Sequence, residues 1–276
     1  MNKGPGLFSD IGKKAKDLLT KDYGTDKKFS ISTYSDAGVA FTSAAVKKGG
    51  FSTGDVAALY KYNNAVLDFK VDTESNISVT ATFTDIVPST KTIASLKLPD
   101  YNSGKVEVQY FHHHATFTTA IGLNQTPAID LSTTIGTPTI VFGAEAGYDT
   151  ASGKFTKYTA GISVEKPDSY ASIILADKGD TIRVSHVHYL DELKRSATGG
   201  EITRRFSTND NTFTFGGSFA VDNLTVVKAK LNNHGTLGAL LQHELMPKSV
   251  LTISSEFDTK ALEKTPRLGL SLALRP

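Results

Sequence analysis

Residues 65–84 read Ala-Val-Leu-Asp-Phe-Lys-Val-Asp-Thr-Glu-Ser-Asn-Ile-Ser-Val-Thr-Ala-Thr-Phe-Thr, and they contain the pattern that the rest of the chain repeats. In the first half, Leu, Phe and Val alternate with Asp68, Lys70 and Asp72. After a short polar turn, residues 77–84 alternate in the same way, with Ser and Thr on one side. Alternation with a period of two predicts an antiparallel hairpin that has one apolar and one polar face.

Composition narrows the class of protein. The chain has 276 residues, of which 39% are hydrophobic, with no Cys, no Trp and a formal net charge of +2. These values exclude a disordered chain and a disulfide scaffold, and the small charge gives no support for nucleic-acid binding. No run of ~18 apolar residues predicts a transmembrane helix, but a barrel strand needs only ~9–11 residues with every second one apolar. Residues 1–6 lack the apolar core of a secretory signal, so we expect no bacterial export route.

Segments with a period of two, separated by turn residues, occupy the chain from residue 27 almost to its end. Nineteen segments fit the pattern: 27–36, 39–47, 54–62, 65–73, 76–84, 91–98, 104–111, 114–123, 127–135, 138–147, 154–164, 168–176, 180–189, 192–206, 211–220, 223–231, 235–244, 249–257 and 266–275. Short connections favour a meander of neighbouring strands. We therefore predict an N-terminal helix and linker over 1–26 and a β-barrel over 27–276.

About nineteen strands in one sheet predict an all-β fold, a transmembrane β-barrel. Because barrel diameter grows with strand number, the lumen would hold water rather than side chains. The last segment places four Leu on one face, which would be an aggregation-prone edge in water but needs no cover in lipid. With an odd number of antiparallel strands, the first and last run the same way and close the barrel in parallel. The alternative is a soluble β-rich binding protein with a basic docking helix.

Residues 7–21 have the period of a helix instead. The apolar residues that fall within an arc of about 120°, at ~100° per residue, are Leu7, Phe8, Ile11, Ala15, Leu18 and Leu19. The opposite side carries Lys13, Lys14, Lys16, Asp17 and Lys21. Ser9 or Asp10 is placed to cap the start, and Gly12 weakens the first turn.

Histidines are the candidate metal ligands. In the run 112–114, adjacent side chains point to opposite faces of a strand, so at most two converge. His186 and His188 share a face, but no third ligand accompanies them, and we interpret their position as luminal or interfacial. The sequence lacks a Gly-rich phosphate loop and an H-E-x-x-H helix. We predict no catalytic residue, no metal and no cofactor.

Residues 10–23, Asp-Ile-Gly-Lys-Lys-Ala-Lys-Asp-Leu-Leu-Thr-Lys-Asp-Tyr, resemble the N-terminal segment of the eukaryotic mitochondrial porins, the voltage-dependent anion channels. Residues 222–241 resemble the family's C-terminal signature, in which a strand ends in Lys-hydrophobic-Asn-Asn before a turn. Phe219 and Asn223 depart from that signature. The resemblance covers the whole length and is strongest to plant members. Nineteen is also the strand number of this family, in agreement with the nineteen segments.

The resemblance implies a voltage-dependent, weakly anion-selective channel of the mitochondrial outer membrane, with the helix inside the lumen. Such a channel passes ions and small metabolites, including nucleotides and phosphate. It also implies contact with membrane lipid, homo-oligomers and docking of a cytosolic kinase. The Gly-Leu-Lys tripeptide of animal members does not occur here, so no specific ATP site is predicted.

The predicted site combines the inner wall and the helix. The polar side of the helix, from Lys13 to Lys21, is the expected pore-lining and gating element. The inward wall positions are Asp68, Lys70, Asp72, Lys105, Glu107, Lys157, Lys228 and Lys230. The apolar arc needs an apolar patch on the wall, and residues 171–176, apolar on both faces, are the best candidate, extended by residues 140 and 142. The predicted docking residues are Leu7, Ile11, Leu18 and Ile174.

Overall fold

Nineteen β-strands close into one barrel in the computed structural model of the chain, which confirms the predicted all-β barrel. The structure describes residues 4–35, 38–261, 263 and 265–275. The strands are β1 (Lys27–Tyr34), β2 (Val39–Lys48), β3 (Phe51–Tyr62), β4 (Ala65–Asp72), β5 (Ile77–Thr84), β6 (Thr90–Leu98), β7 (Lys105–Phe111), β8 (Ala115–Gly122), β9 (Ala128–Gly136), β10 (Ile140–Asp149), β11 (Lys154–Glu165), β12 (Ser169–Ala176), β13 (Thr181–Tyr189), β14 (Ala197–Arg205), β15 (Asp210–Ala220), β16 (Thr225–Asn232), β17 (Thr236–Met246), β18 (Ser249–Asp258) and β19 (Arg267–Leu274).

The barrel closes through one parallel pair. Each strand pairs antiparallel with the next one along the chain, whereas β1 and β19 pair in parallel, from Lys27 opposite Leu270 to Ile31 opposite Leu274. This closure follows from an odd number of strands joined by hairpins, as the sequence predicts. Every strand has two neighbours, so the described sheet presents no open edge.

Alternate residues face outward and inward. On β19, Leu268 and Leu270 leave 64% and 45% of their surface exposed on the outer wall. Gly269, between them, faces the lumen and touches the carbonyl oxygen of Gly24. A soluble sandwich would cover the apolar face with a second layer, and no element of the described chain lies over it. The outer wall therefore has the character of a lipid-facing surface.

The largest difference from the predicted strand boundaries precedes β14. The alternation places a segment over 192–206, whereas β14 begins at Ala197. Asp191 accounts for the later start, because its carboxylate accepts hydrogen bonds from the backbone N–H groups of Arg195 (3.2 Å) and Ser196 (2.7 Å). These bonds fold the chain into a turn instead of a strand. Residue 36 of the first predicted segment lies outside the described residues.

The N-terminal helix is shorter than predicted. A 3₁₀ turn spans Phe8–Asp10, and the α-helix α1 spans Lys13–Leu19. Gly12 separates them with a φ of 81°, a left-handed conformation that Gly adopts without strain. The predicted cap at Asp10 is wrong for α1, because this carboxylate accepts the N–H of Leu7 at 3.0 Å. Within the residues that the structure describes, no helix has the length and apolar character needed to cross a membrane.

Removal of residues 266–276, which contain β19, should abolish stable insertion into liposomes. Without β19, β1 and β18 leave backbone N–H and C=O groups unpaired, and each such group costs several kcal/mol in lipid. Carbonate extraction of the liposomes should leave the truncated chain in the supernatant. A chain that lacks only residues 275–276 keeps β19 and should stay in the pellet. Equal retention of both chains would show that the closing strand is not needed.

Candidate pore wall and N-terminal segment

The N-terminal segment, residues 4–26, lies inside the barrel and follows the inner wall from β8 to β19. Hydrogen bonds fix its first residues. Thr116 of β8 donates to the carbonyl of Pro5 at 2.7 Å, and Thr134 of β9 donates to the carbonyl of Gly6 at 2.6 Å. The segment therefore begins attached to the wall instead of floating in the lumen.

A tyrosine hydroxyl holds the break between the 3₁₀ turn and α1. The N–H of Gly12 donates to the hydroxyl of Tyr170 on β12 at 2.6 Å. N–H groups at a helix start have no partner within the helix, so Tyr170 satisfies a donor that would otherwise be left unpaired. The ammonium of Lys14 lies 5.3 Å from the centre of the same ring, within range of a cation–π contact. Leu7, a predicted docking residue, is half-buried before this turn.

The helix α1 packs its apolar side onto β13, β14 and β15. Ala15, Leu18 and Leu19 are almost completely buried and form a cluster with Val187 and Ala197 of the wall. Full burial of a Leu side chain contributes roughly 1.5–3 kcal/mol relative to exposure. Apolar packing, supplemented by hydrogen bonds, therefore attaches α1 to the wall.

The predicted docking patch is only partly where the sequence places it. Ile174 faces the lumen, where its Cδ1 lies 2.8 Å from the position of a Cβ at Gly12, so it touches the helix start. The extension of the patch to residues 140 and 142 is wrong, because Phe142 is 57% exposed on the outer wall. The inner face of β10 instead presents Gly143 to Phe8 and Ile11.

Glycines on the inner face allow the N-terminal segment to lie close against the wall. This glycine row consists of Gly143, Gly161, Gly199, Gly216, Gly238 and Gly269. A Cβ at Gly143 would stand 2.7 Å from the ring of Phe8, and one at Gly216 would stand 2.8 Å from Leu19. Both separations are shorter than side chains tolerate. Sequence reasoning missed the row, although its signal is present, since six strands carry Gly at inward positions where a polar residue is expected.

The far end of the segment is attached to β17 and β18. Gln242 donates to the carboxylate of Asp22 at 3.2 Å, and the hydroxyl of Ser254 donates to the carbonyl of Gly24. The segment is thus held at both ends and in its middle, by β8, β9, β12, β17 and β18. The chain then enters β1 directly.

Two wall lysines lie beneath the segment. Lys228 donates to the carbonyl of Asp17 at 3.5 Å, and the ammonium of Lys230 lies 4.4 Å from the ring centre of Tyr23. Burial raises the pKa of Tyr23 to about 12, so its hydroxyl stays neutral. That hydroxyl has no hydrogen-bond partner in the described part of the chain. Lys228 and Lys230 face inward, as predicted. In addition to lining the wall, they contact the N-terminal segment.

The polar side of the segment is divided between exposed and half-buried residues. Lys13, Lys16 and Lys21 are exposed to the lumen, while Lys14 and Asp17 are half-buried. Asp10 pairs with Lys13 at 3.3 Å, and Glu165 of β11 pairs with Lys14. Lys16 and Lys21 make no ion pair within the described chain. Their charges are therefore the ones that a passing ion meets.

The remaining predicted wall positions also point inward in this register: Asp68, Lys70, Asp72, Lys105, Glu107 and Lys157. Three of their lysines pair with acidic neighbours. Lys70 lies 3.2 Å from Asp55, Lys105 lies 3.6 Å from Asp130, and Lys157 lies 3.4 Å from a carboxylate of β10. Such exposed pairs contribute about 0–1 kcal/mol each to stability. Their larger effect is to lower the net charge of the wall.

The histidines do not form a site in the lumen. Val187 is buried beneath α1, so His186 and His188 on either side of it point outward. Of the two predicted positions, luminal or interfacial, the luminal one is wrong. The run 112–114 occupies the exposed turn between β7 and β8. Across the described ranges, no three His, Asp or Glu side chains come together as a metal would require.

Comparisons with known proteins agree with this architecture. Residues 4–269 match the family described as eukaryotic porin. The chain is 66% identical to mitochondrial outer membrane protein porin 2 of Arabidopsis thaliana over 100% of both chains, and 62% identical to porin 5 of Oryza sativa subsp. japonica over 99% of both. It is 49% identical to the outer plastidial membrane protein porin of Pisum sativum over 100% of both. A mutant of Rh. blastica porin shares the barrel fold with a TM-score of 0.50 at 8% identity, covering 88% of this chain and 95% of that chain. The chain belongs to the eukaryotic porin family.

Proposed function

We propose that this chain is a channel of the mitochondrial outer membrane that passes inorganic ions and small metabolites, including nucleotides and phosphate. The width of the barrel carries the proposal, since barrels of ~16–18 strands already leave an aqueous channel. The relatives with 66% and 62% identity are named mitochondrial porins, whereas the plastidial relative shares 49%. The higher identity favours the mitochondrion. Passage is diffusion, and the chain catalyses no reaction.

Weak anion selectivity follows from the charges in the lumen. Ion pairs neutralise much of the wall, while Lys16 and Lys21 remain on the exposed side of the segment. A positive surface in the passage lowers the barrier for anions. Salt screens these charges over ~10 Å at 0.1 M, so the bias is small in a wide pore.

Voltage dependence is proposed to arise from the N-terminal segment. It carries exposed lysines and is attached by apolar packing and single hydrogen bonds, all of which are reversible. Moving one charge across the membrane is worth about 2.3 kcal/mol per 100 mV, comparable to the burial of one Leu side chain. If the segment detached from the wall, it would obstruct the pore and lower the conductance. Homo-oligomers and docking of a cytosolic kinase stay predictions of the family resemblance.

Substituting Glu for both Lys16 and Lys21 should shift the reversal potential toward cation preference. These side chains face the lumen without ion partners, so two charges change sign where ions pass, from two positive to two negative. The measurement is a planar-bilayer recording in a salt gradient, in which the parent channel should prefer anions weakly. The difference should fade as salt rises.

Lys47→Glu is the matched control. Lys47 lies opposite Lys27 on the outer face, so its substitution should leave the reversal potential close to that of the parent. A cation-selective parent channel at low salt would contradict the proposed selectivity, and the absence of any conductance would contradict the proposed function.

A further inference from the structure

Two histidines on the outer wall have no part in the channel described above. His186 and His188 of β13 are exposed, and neither ring forms a hydrogen bond or an ion pair within the part of the chain that the structure describes. Polar side chains are costly on a lipid-facing surface, and ionisable residues within a membrane commonly mark a functional site. Two unsatisfied imidazoles on one face of one strand therefore indicate a ligand.

The two histidines line a groove. Opposite His186 stands Gly200 of β14, and opposite Gly200 stands Phe215 of β15. A Cβ at Gly200 would lie 2.9 Å from the Phe215 ring, so the ring leans over the glycine and leaves a trough beside it. Thr198, opposite His188, continues the floor. The groove has a volume of about 530 Å³.

The polarity of the groove changes with depth. His188 is one residue from the end of β13, at the rim of the wall, and His186 lies roughly 7 Å deeper at ~3.3 Å per residue. Further in, the lining becomes apolar, with Val184 opposite Ile202. Hydrogen-bond donors at the rim above an apolar trough match a lipid headgroup above its acyl chain.

We propose that this groove binds an anionic phospholipid. Its phosphate accepts hydrogen bonds from His186 and His188, and one acyl chain lies along Ile202 and Phe215. Bonds between an imidazole and a phosphate are charge-assisted and stronger than neutral ones. A zwitterionic headgroup brings its own ammonium group, which competes for the phosphate. The proposal rests on the proposed function, because it needs the outer wall to lie in a bilayer.

A third outer-wall histidine shows the contrast. His243 of β17 lies three residues from the same end of the barrel, but its Nδ1 is 2.9 Å from the hydroxyl of Thr225. Thr225 in turn donates to Asp222 at 2.9 Å. This imidazole is satisfied by the protein, so exposure on the outer wall alone does not leave a histidine without a partner.

The chain contains no Trp, so a single indole can report on the groove. Phe215→Trp places it against the trough, and phospholipids with brominated acyl chains quench it on contact. In vesicles of phosphatidylcholine, brominated phosphatidylglycerol should quench this indole several-fold more effectively, at equal content, than brominated phosphatidylcholine. Replacing both histidines with Leu should remove that preference and keep quenching by each lipid.

Two controls separate the possible failures. Phe69→Trp reports on the outer face of β4, which has neighbours Ala58 and Val79 and no histidine, and it should be quenched equally by both lipids. His243→Leu, combined with Phe215→Trp, should leave the preference intact.

Equal quenching of Phe215→Trp by both lipids, or a preference that survives in the double-Leu variant, would overturn the proposed lipid site in the groove. Protection of Phe215→Trp from both lipids would also overturn it, since a second copy of the chain would then cover the face. If neither lipid quenched Phe69→Trp, the membrane position itself would be wrong.

Discussion

Arg in place of Leu270 should destabilise the inserted barrel by roughly 2–4 kcal/mol, the cost of a lipid-facing cation near the bilayer midplane. Leu270 is the fourth of eight residues in β19, close to the middle of the strand, and it faces outward with 45% of its surface exposed. Its strand also closes the barrel against β1, so the penalty falls on the closing pair of strands. The measurement is the free energy of unfolding in lipid vesicles, obtained from urea titrations.

Ser271→Arg is the control, one residue away on the same strand. Ser271 lies on the inner face beside Lys28 of β1, where the new charge stays in water. We expect an unfolding free energy within about 0.5 kcal/mol of the parent, as for other surface substitutions. The pair Phe69→Arg and Asp68→Lys repeats the comparison on β4. Equal losses from outward and inward substitutions would mean that both faces are buried, and the barrel in a membrane would be excluded.

The strands and their closure follow from the sequence because both depend on local patterns. Alternation sets which face each residue occupies, and hairpin turns set the direction of each strand. Because the number of strands is odd, β1 and β19 run in the same direction and must pair in parallel to close the barrel. The exception at residues 192–196 also has a local cause. The carboxylate of Asp191 forms an Asx-type turn that precedes β14.

The path of the N-terminal segment does not follow from local patterns. Its contacts join residues far apart in the chain, such as Gly12 with Tyr170. The helical period of residues 7–21 shows that an apolar side exists, but the period cannot say which strands it meets. Gly12 illustrates the same limit, because an isolated Gly inside a helical pattern is usually tolerated. Here its left-handed conformation separates the 3₁₀ turn from α1, and its N–H donates to the wall.

The outward position of His186 and His188 has a similar explanation. Strand β13 reads Thr-Ile-Arg-Val-Ser-His-Val-His-Tyr, so polar residues stand on both faces and the alternation does not choose between them. The choice is made by α1, which buries Val187 on the inner side. Sequence alone therefore assigns faces where alternation is clear, as on β4 and β19, and fails where the segment modifies the wall.

Cys substitutions at Ile11 and Gly161 should form a disulfide that fixes the N-terminal segment to β11. The Cγ2 of Ile11 lies 3.2 Å from the Cβ position at residue 161, and it is one bond from its own Cβ. The ~3.5–4.5 Å that Cβ atoms in a disulfide require is therefore within reach. Replacing Ile11 also removes the methyl group that crowds the new side chain. The chain has no other Cys, so only this bond can form within one molecule.

The oxidised channel should keep the conductance of the open state, since the disulfide joins residues that are already in contact. It should lose voltage-induced closure, because the segment can no longer leave the glycine row, and a reductant should restore closure in the same bilayer. The control pair is Leu18→Cys with Ile174→Cys, which should stay reduced, because Leu18 packs on β13 and β14 while Ile174 touches Gly12. A crosslink in the control pair alone would contradict the described docking. Closure that persists in the fully oxidised Ile11 and Gly161 variant would show that movement of the segment at Ile11 is not the gate.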